Sequence, residues 1–412
     1  MKKRRGYIIF LYIIVLAGFL FVGYQLYSSY LADQITQNYI SNNIMQLDFG
    51  EEKIKFPLLN SDIGNNEIFL LGETHGVQEN YQLDLALFKY LKERTNIKYY
   101  LAETGYAQGR LINRYIQTGD EEIIKKIYSY LRGTYAYNKT RYQKLKELRN
   151  YYKNLPEGDK FEYLGIDIEH QLQSAFWYMN TLLPEKSIPE RIRPVIIRLQ
   201  QIHKKRQYNR EEIKKLSRNI KESIENNSKL YKDYLGKFYW EFKLVNHNIQ
   251  NRFLAYEGDN FNEIRDRAIY NNFMTVYPYL EKGKFYGMWG DAHTYQKKFN
   301  NVDYFASLLT KTPEFNDDIL SIKIHYRHCK RMVRNPYDIR SLNSRDPFNI
   351  TNDIAVDTKG ALIKLNSEDS PFEGRDYILV GSFFKIFKNS TTDYIQYLIL
   401  LNEGIATEPF EK

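Results

Sequence analysis

The sequence predicts an α/β fold with a mostly parallel central sheet flanked by helices. Short apolar runs, which suit buried strands, alternate with segments whose apolar residues recur at helical spacing, and this alternation is typical of βαβ units. The strand candidates are residues 68–71, 99–102, 161–166, 285–290 and 319–324. The chain has 412 residues, of which 43% are hydrophobic and 26% charged, so it can form one large domain or two smaller ones with a buried core.

A long helical insertion and a strand-rich end complete the predicted architecture. Residues 171–280 contain charged segments with helical periodicity, so we expect helices that lie over the sheet. One apolar stripe in this insertion consists of Ile213, Leu216, Ile220 and Ile224. Further strand candidates after the insertion are residues 361–365, 377–380 and 394–401. We therefore expect an α/β domain over residues 66–312, which a strand-rich part over residues 313–412 completes.

The N-terminal sequence predicts a membrane anchor. Four cations, Lys2–Arg5, precede an uncharged run over residues 7–32, and about 20 apolar residues suffice to span the hydrocarbon core of a bilayer. Because such cations remain in the cytoplasm, we expect residues 1–32 to form a single-pass helix in the cell membrane, with the main domain outside the cytoplasm. A cleaved signal peptide is the alternative, but the apolar run exceeds the usual ~7–15 residues and Tyr30 makes a poor cleavage site. Residues 33–65 are expected to be a weakly structured connector.

Composition and motifs exclude several classes of protein. A single cysteine, Cys329, excludes a disulfide framework, a zinc site built from cysteines and an iron–sulfur cluster. The net charge of +9 owes four units to Lys2–Arg5, and the remaining charges are spread widely, so we expect no binding of nucleic acid. The sequence has no Gly-x-Ser-x-Gly motif, and Cys329 has no recognisable partner, which disfavours a covalent serine or thiol mechanism.

Polar clusters follow four of the predicted strands, directly where each strand ends. The clusters are residues 72–76 (GETHG), 103–105 (ETG), 167–170 (DIEH) and 291–294 (DAHT). In an open α/β sheet, ligands bind beyond the carboxyl ends of the strands. We therefore expect Glu73, His75, Glu103, Asp167 and His293 to meet in one cavity.

These side chains suit general acid–base chemistry. A histidine held between carboxylates can act as a base near neutral pH, so we expect His75 to activate water while Glu73 and Glu103 orient it. His293, from another strand, would be a second acid or base. A divalent metal that activates the water is the alternative, and its candidate ligands are Glu73, His75 and His293.

A predicted helix near the end of the insertion adds further polar groups. Arg265, Ile269 and Asn272 are spaced by four and three residues and share one face, so Arg265 and Asn272 can both point to the cavity. An arginine there would stabilise a developing oxyanion. Asn272, together with Asp167 and His170, would bind the substrate. A surface helix held by ordinary salt bridges is the alternative interpretation.

Five motifs, in this order, resemble one known superfamily. They are GETHG (72–76), LAETGY (101–106), GIDIEH (165–170), FNEIRDRAIYNNF (261–273) and GMWGDAHT (287–294). From about residue 66 to 310 the chain resembles the superfamily that groups erythromycin esterases, ChaN-type haem-binding proteins and Tiki-type metalloproteases. The RDRxxxNN helix and the GIDI segment most resemble the esterase branch. The resemblance implies an α/β core with a helical insertion, and ester hydrolysis by water that a histidine activates. It also implies that Glu73, His75, Glu103, Arg265 and His293 form the catalytic set.

Two motifs depart from the esterase branch. One residue, Thr74, separates Glu73 from His75 where that branch usually has two, and the late motif offers a single histidine, His293; both features resemble the ChaN and Tiki branches. The leading hypothesis is a membrane-anchored hydrolase of an ester or amide, with a small molecule or a peptide as substrate. The alternatives are a haem-binding protein, a metal-dependent protease and a catalytically inactive interaction protein.

Overall fold

The computed structural model describes residues 34–50, 54–205, 208–334, 337–344, 359–373 and 390–411. Its strands are β1 (Ile44–Leu47), β2 (Ile68–Glu73), β3 (Ile97–Gly105), β4 (Glu162–Asp167), β5 (Lys284–Gly290), β6 (Ile319–Arg327), β7 (Cys329–Met332), β8 (Ile339–Leu342), β9 (Gly360–Lys364) and β10 (Tyr397–Asn402). Its helices are α1 (Gln78–Lys92), α2 (Tyr106–Thr118), α3 (Glu121–Tyr130), α4 (Lys139–Asn154), α5 (Leu172–Thr181), α6 (Arg193–His203), α7 (Arg210–Asn226), α8 (Ser228–Leu235), α9 (Tyr239–Glu257), α10 (Phe261–Val276) and α11 (Phe305–Leu309).

Eight of the strands form one sheet in the order β1-β9-β10-β6-β2-β5-β3-β4. The neighbours from β10 to β4 pair in parallel, whereas β9 pairs antiparallel with both β10 and β1. The predicted mostly parallel sheet is therefore confirmed. Because β5 lies between β2 and β3, although it follows both in the chain, the carboxyl ends of β2, β5, β3 and β4 lie side by side at one edge.

The five strands predicted from apolar runs before residue 330 correspond to β2–β6, with ends shifted by a few residues. Their side chains are buried almost completely, as in β2, where Ile68, Phe69 and Leu71 are fully inaccessible to solvent. Parallel strands that are covered on both faces consist of nearly continuous apolar residues. That burial is why the short runs were sufficient to locate them.

The helical insertion is also confirmed, and it comprises α5 to α10. The predicted stripe of α7 is buried at Ile213, Leu216, Ile220 and Ile224. A polar contact ties the insertion to the core: the carboxylate of Glu241 accepts a hydrogen bond at 2.9 Å from the hydroxyl of Tyr106 on α2 and another from the hydroxyl of Tyr178 on α5. The insertion is therefore anchored beside the edge of the sheet at which the carboxyl ends of β2–β5 lie.

The prediction of a weakly structured connector over residues 33–65 is wrong. Residues 34–42 are helical, and β1 pairs with β9 at the edge of the main sheet. Leu47 and Phe56 in this segment are fully buried. The partner strand β9 lies about three hundred residues further along the chain, so the pairing depends on tertiary contacts that local sequence patterns do not reveal.

Two sequence predictions lie outside the described residues. They are the membrane anchor over residues 1–32 and the strand candidate over residues 377–380. Within the ranges that are described, no helix is both long and apolar enough to cross a membrane.

Candidate active site

The predicted polar residues lie at the carboxyl edge of the sheet, each on a different element. Glu73 ends β2 and Glu103 lies near the end of β3. His293 is carried by a short 3₁₀ turn, Asp291–Thr294, directly after β5. Arg265 reaches the same edge from α10 in the insertion. The parallel order of the strands thus brings together residues that are far apart in the sequence.

Arg265 is the centre of this cluster. Its Nε donates to both carboxylate oxygens of Asp167, at 3.1 and 3.2 Å, and its Nη2 donates to Asp167 and to Glu103 Oε1, both at 2.6 Å. Its Nη1 donates to Nε2 of His293 at 3.1 Å. A guanidinium has five N–H donors, so one N–H of Nη1 has no acceptor among the described residues. That donor is available to a ligand.

The two carboxylates that Arg265 binds remain charged. Burial is the largest single influence and raises the pKa of Glu103, but the charges of Arg265, His75 and His293 together outweigh it and lower the pKa to about 2. Glu103 also accepts a hydrogen bond at 2.6 Å from the backbone N–H of Gly290. Asp167 is fully buried, and there too burial is the largest single influence and raises the pKa, but Arg265 and His170 together outweigh it and hold the pKa far below its ordinary range.

Glu73 and His75 form a directly bonded pair through Nδ1 of the imidazole. The charge of Glu73 is the largest cause that raises the pKa of His75 to about 9, whereas burial acts in the opposite direction. Asn80 fixes the other oxygen of Glu73 by a hydrogen bond of 2.5 Å from its amide. The hydroxyl of Tyr326 in turn donates to Asn80 at 3.0 Å and accepts from the backbone N–H of Thr74 at 2.8 Å. The carboxylate is therefore held before any substrate binds.

The turn after His75 is equally constrained. Gly76 has a φ of +97°, which residues with a side chain rarely adopt. A Cβ atom at this position would lie 2.1 Å from the carbonyl oxygen of Met332. This close approach explains the glycine that directly follows His75 in the motif.

His293 is oriented by an aspartate from the neighbouring helix. Its Nδ1 lies 2.6 Å from Oδ1 of Asp266. Because Arg265 can only donate, its bond to Nε2 implies that the neutral ring carries its proton on Nδ1. Burial is the largest single influence and lowers the pKa of His293, but the charge and hydrogen bond of Asp266, together with the charge of Glu103, outweigh it, and the net shift is upward.

An open cavity of about 330 Å³ lies above this cluster. Glu73, His75, Glu103, Arg265 and His170 line it, as predicted. His75 has 40% of its side chain exposed there, and its Nε2 makes no hydrogen bond to any described residue. His75 is thus the imidazole of the cluster that a substrate can reach most easily.

Three predicted residues lie beneath the cavity instead of in its wall. Asp167 is covered by Arg265, and His293, only 6% exposed, lies behind the same guanidinium. Asn272, predicted to bind substrate, is 1% exposed and donates to the backbone oxygen of Ile166 at 2.9 Å. Helical spacing correctly put Asn272 and Arg265 on one face, but Asn272 lies too far down the helix to reach the cavity, and it fastens α10 to β4.

His170 is the predicted substrate-binding residue that does line the cavity. Its Nε2 lies 3.1 Å from Oδ2 of Asp167 and its Nδ1 lies 3.0 Å from the hydroxyl of Tyr256. Both ring nitrogens are therefore engaged, which fixes the orientation of the ring at the rim.

Sequence reasoning missed Asp266 and Arg141. Asp266 orients His293, and Arg141 lines the cavity from α4. Asp266 adjoins Arg265 in the motif, and this adjacency was the available signal. Arg141 lies in an ordinary amphipathic helix, and its sequence context has no feature that distinguishes it from a surface arginine.

The candidate metal ligands do not form a metal site in this arrangement. Glu73 and His75 bind each other, whereas His293 is bonded to Asp266 and Arg265. Within the part of the chain that the structure describes, no group of three or more His, Cys, Asp or Glu side chains is arranged to hold a metal ion. The haem and metalloprotease alternatives stay predictions.

The fold is similar to three solved structures of low sequence identity. A protein from Bacillus cereus has a TM-score of 0.68 at 18% identity, over 92% of this chain and 99% of that chain. A succinoglycan biosynthesis protein has a TM-score of 0.68 at 15% identity, over 91% and 98%. A mutant of the erythromycin esterase EreC in an open conformation has a TM-score of 0.63 at 11% identity, over 90% of this chain and 100% of that one.

The similarity to the esterase confirms the fold that the motif resemblance implied. No protein-family model matches the sequence, and the search of curated proteins found no match. At these identities the structural likeness defines the fold alone, so the reaction has to be argued from the site.

Proposed function

We propose that this protein is a hydrolase that cleaves an ester or amide bond with a water molecule activated by His75. One observation carries the proposal: His75, paired with Glu73, lies in the same open cavity as Arg265, which keeps an unused N–H donor among the described residues. A base and an electrostatic stabiliser in one cavity are the minimum that acyl hydrolysis needs. The likeness of the fold to a protein named as an erythromycin esterase supports the reaction class.

The pair of Glu73 and His75 would generate the nucleophile. With Nδ1 bonded to Glu73, the neutral imidazole presents its other nitrogen, Nε2, as the proton acceptor. A water molecule gives its proton to Nε2 while its oxygen attacks the carbonyl carbon. Glu73 stabilises the imidazolium that forms, as carboxylates do in other His–carboxylate pairs. The same proton then passes to the leaving oxygen or nitrogen when the tetrahedral intermediate collapses.

Arg265 would stabilise the negative charge on the carbonyl oxygen. One N–H of its Nη1 makes no hydrogen bond to a described residue, and its other N–H groups are held by Asp167, Glu103 and His293. A donor that is already oriented costs no reorganisation when the charge develops. His293 and Asp266 act through Arg265 in this scheme, as positioning residues beneath the cavity.

We also propose that the hydrolase is attached to the cell membrane and faces outward. The support is the sequence of residues 1–32, in which four cations precede a long uncharged run. Protease added to intact cells should then digest the main domain. Full protection of the domain in intact cells, with digestion after lysis, would contradict this location.

The raised pKa of His75 leads to a prediction for the pH dependence. The base must be neutral to accept a proton, and its pKa is about 9. We therefore expect kcat/KM for a 4-nitrophenyl ester to rise about tenfold per pH unit below that value and to level off above it. Glu73→Gln removes the main cause of the shift, so the inflection should move down toward the ordinary histidine value of 6.5, with a lower plateau.

Glu157→Gln is the matched control, since Glu157 is an exposed carboxylate that does not line the cavity. It should keep the profile of the unaltered protein. An inflection at the same pH in Glu73→Gln, or no turnover of any ester or amide in a panel by the unaltered protein, would rule out the proposed function.

A further inference from the structure

The cavity carries more positive than negative charge. Its two carboxylates, Glu73 and Glu103, are bonded to His75 and Arg265. Another cation in the wall, Lys144, is neutralised by Asp84 at 2.5 Å from below. Two further arginines, Arg141 and Arg334, also line the cavity. Neither has a carboxylate within ion-pair distance among the residues that the structure describes.

Arg141 is the more deeply placed of the two. It lies in the first turn of α4, and its Cζ is 5.9 Å from the centre of the Tyr128 ring. Its Nη1 is buried, and the group nearest to satisfying it among the described residues is the neutral hydroxyl of Tyr128, which makes no well-aligned hydrogen bond with it. Leaving a guanidinium donor buried and unsatisfied costs free energy. An acceptor supplied by a bound ligand would remove that cost.

A tyrosine adds a second donor near this arginine. The hydroxyl of Tyr81, which also lines the cavity, accepts a hydrogen bond at 3.0 Å from the amide of Asn138. Burial and the nearby charge of Glu73 keep this hydroxyl protonated by raising its pKa. Its own proton has no acceptor within the described ranges. Arg141 and Tyr81 thus provide donors without a charged acceptor among the described residues, in the same cavity as His75.

We propose that Arg141, with Tyr81 and with Arg334 at the rim, forms a subsite for an oxyanion of the substrate, a carboxylate or a phosphate. An anion fits better than a neutral polar group because the cavity wall has an excess of positive charge as well as of hydrogen-bond donors. A planar guanidinium can bind either a carboxylate or a phosphate through two hydrogen bonds. The subsite rests on the proposed function and deepens it: the scissile bond would lie over His75 while the anionic end of the same molecule binds Arg141.

Paired substrates of equal length test the subsite. Mono-4-nitrophenyl glutarate carries a terminal carboxylate, and 4-nitrophenyl 4-carbamoylbutanoate replaces it with a neutral amide of the same shape. We expect kcat/KM to be about 10- to 100-fold higher for the charged ester, as for other hydrogen bonds to charged groups. Arg141→Gln should reduce this ratio to about one, and Arg141→Lys should retain part of it.

Lys146→Gln is the matched control on the same helix, because Lys146 is partly exposed, faces Glu121 at 3.6 Å and does not line the cavity. It should keep the full ratio. Absence of a preference in the unaltered protein, or an unchanged preference in Arg141→Gln, would overturn the subsite even if hydrolysis is observed. Circular dichroism and thermal melting would show that the variants are folded.

Direct binding separates this inference from the proposed function. Calorimetric titration with glutarate and, in a second arm, with inorganic phosphate needs no turnover. Binding by the unaltered protein that Arg141→Gln abolishes would support the subsite even if no ester is cleaved, and the tighter of the two ligands would identify the anion. Equal binding, or none, by both proteins would contradict the subsite whatever the hydrolysis assay gives.

Discussion

Replacing His75 with alanine is expected to lower kcat/KM for a 4-nitrophenyl ester by about 100- to 10,000-fold, the range of a lost general base. The side chain is 40% exposed to the cavity, and its bonded partner Glu73 is itself held by Asn80. Truncation therefore removes the proton acceptor while the carboxylate stays in place. The free energy of unfolding should change little by comparison, because few contacts of a buried core are lost.

A second histidine provides the control for this experiment. His203, at the end of α6 in the insertion, is partly exposed and does not line the cavity, so His203→Ala should retain full activity. Added imidazole should restore part of the rate of His75→Ala, since a small base can enter the space that the side chain leaves. Equal rates in the two variants would remove His75 from the mechanism.

The sequence allowed the site to be located because its positions follow from the sheet. Glu73 and Asp167 end buried parallel strands, Glu103 lies near the end of another, and the ends of such strands share one edge. An apolar run followed by a polar residue was therefore sufficient to place each carboxylate. A parallel arrangement puts all these strand ends on one edge, and the order β2-β5-β3-β4, which the sequence did not reveal, brings these particular ends side by side.

The roles within the site could not be predicted in the same way. Which of two histidines faces the cavity depends on Arg265, whose guanidinium separates His293 from it. Arg141 comes from α4, which lies outside the five motifs identified in the sequence. Both facts depend on how helices pack over the sheet, and a helical periodicity indicates a buried face without indicating its partner.

Arg265→Met is expected to lower the free energy of unfolding by about 3–5 kcal/mol, the cost of breaking a buried ion pair from one side. It leaves Asp167, fully buried, and Glu103 without the guanidinium that binds them at 2.6 Å. Hydrolysis should also fall, because the oxyanion donor is lost. Arg265→Lys should rescue only part of either effect, since one ammonium cannot reach three acceptors in the geometry of a guanidinium.

Denaturant unfolding of Arg265→Met and of Arg267→Met measures this effect, and Arg267 is the matched control because it is exposed on the same helix. The pH dependence gives a sharper test. In the unaltered protein the folded pKa of Glu103 is about 2, below its ordinary value of 4.5, so its contribution to stability is present above pH 4.5 and is lost as the pH falls toward 2.

Without Arg265, burial is the largest influence left on these carboxyls, and it raises their pKa in the folded state. Protonation then favours the folded state, so the destabilisation of Arg265→Met should shrink as the pH falls, which is the opposite slope to that of the unaltered protein. Parallel slopes for Arg265→Met and the control would mean that the two carboxylates do not depend on Arg265. In that case the central role of this arginine in the site, and with it the proposed oxyanion donor, would be wrong.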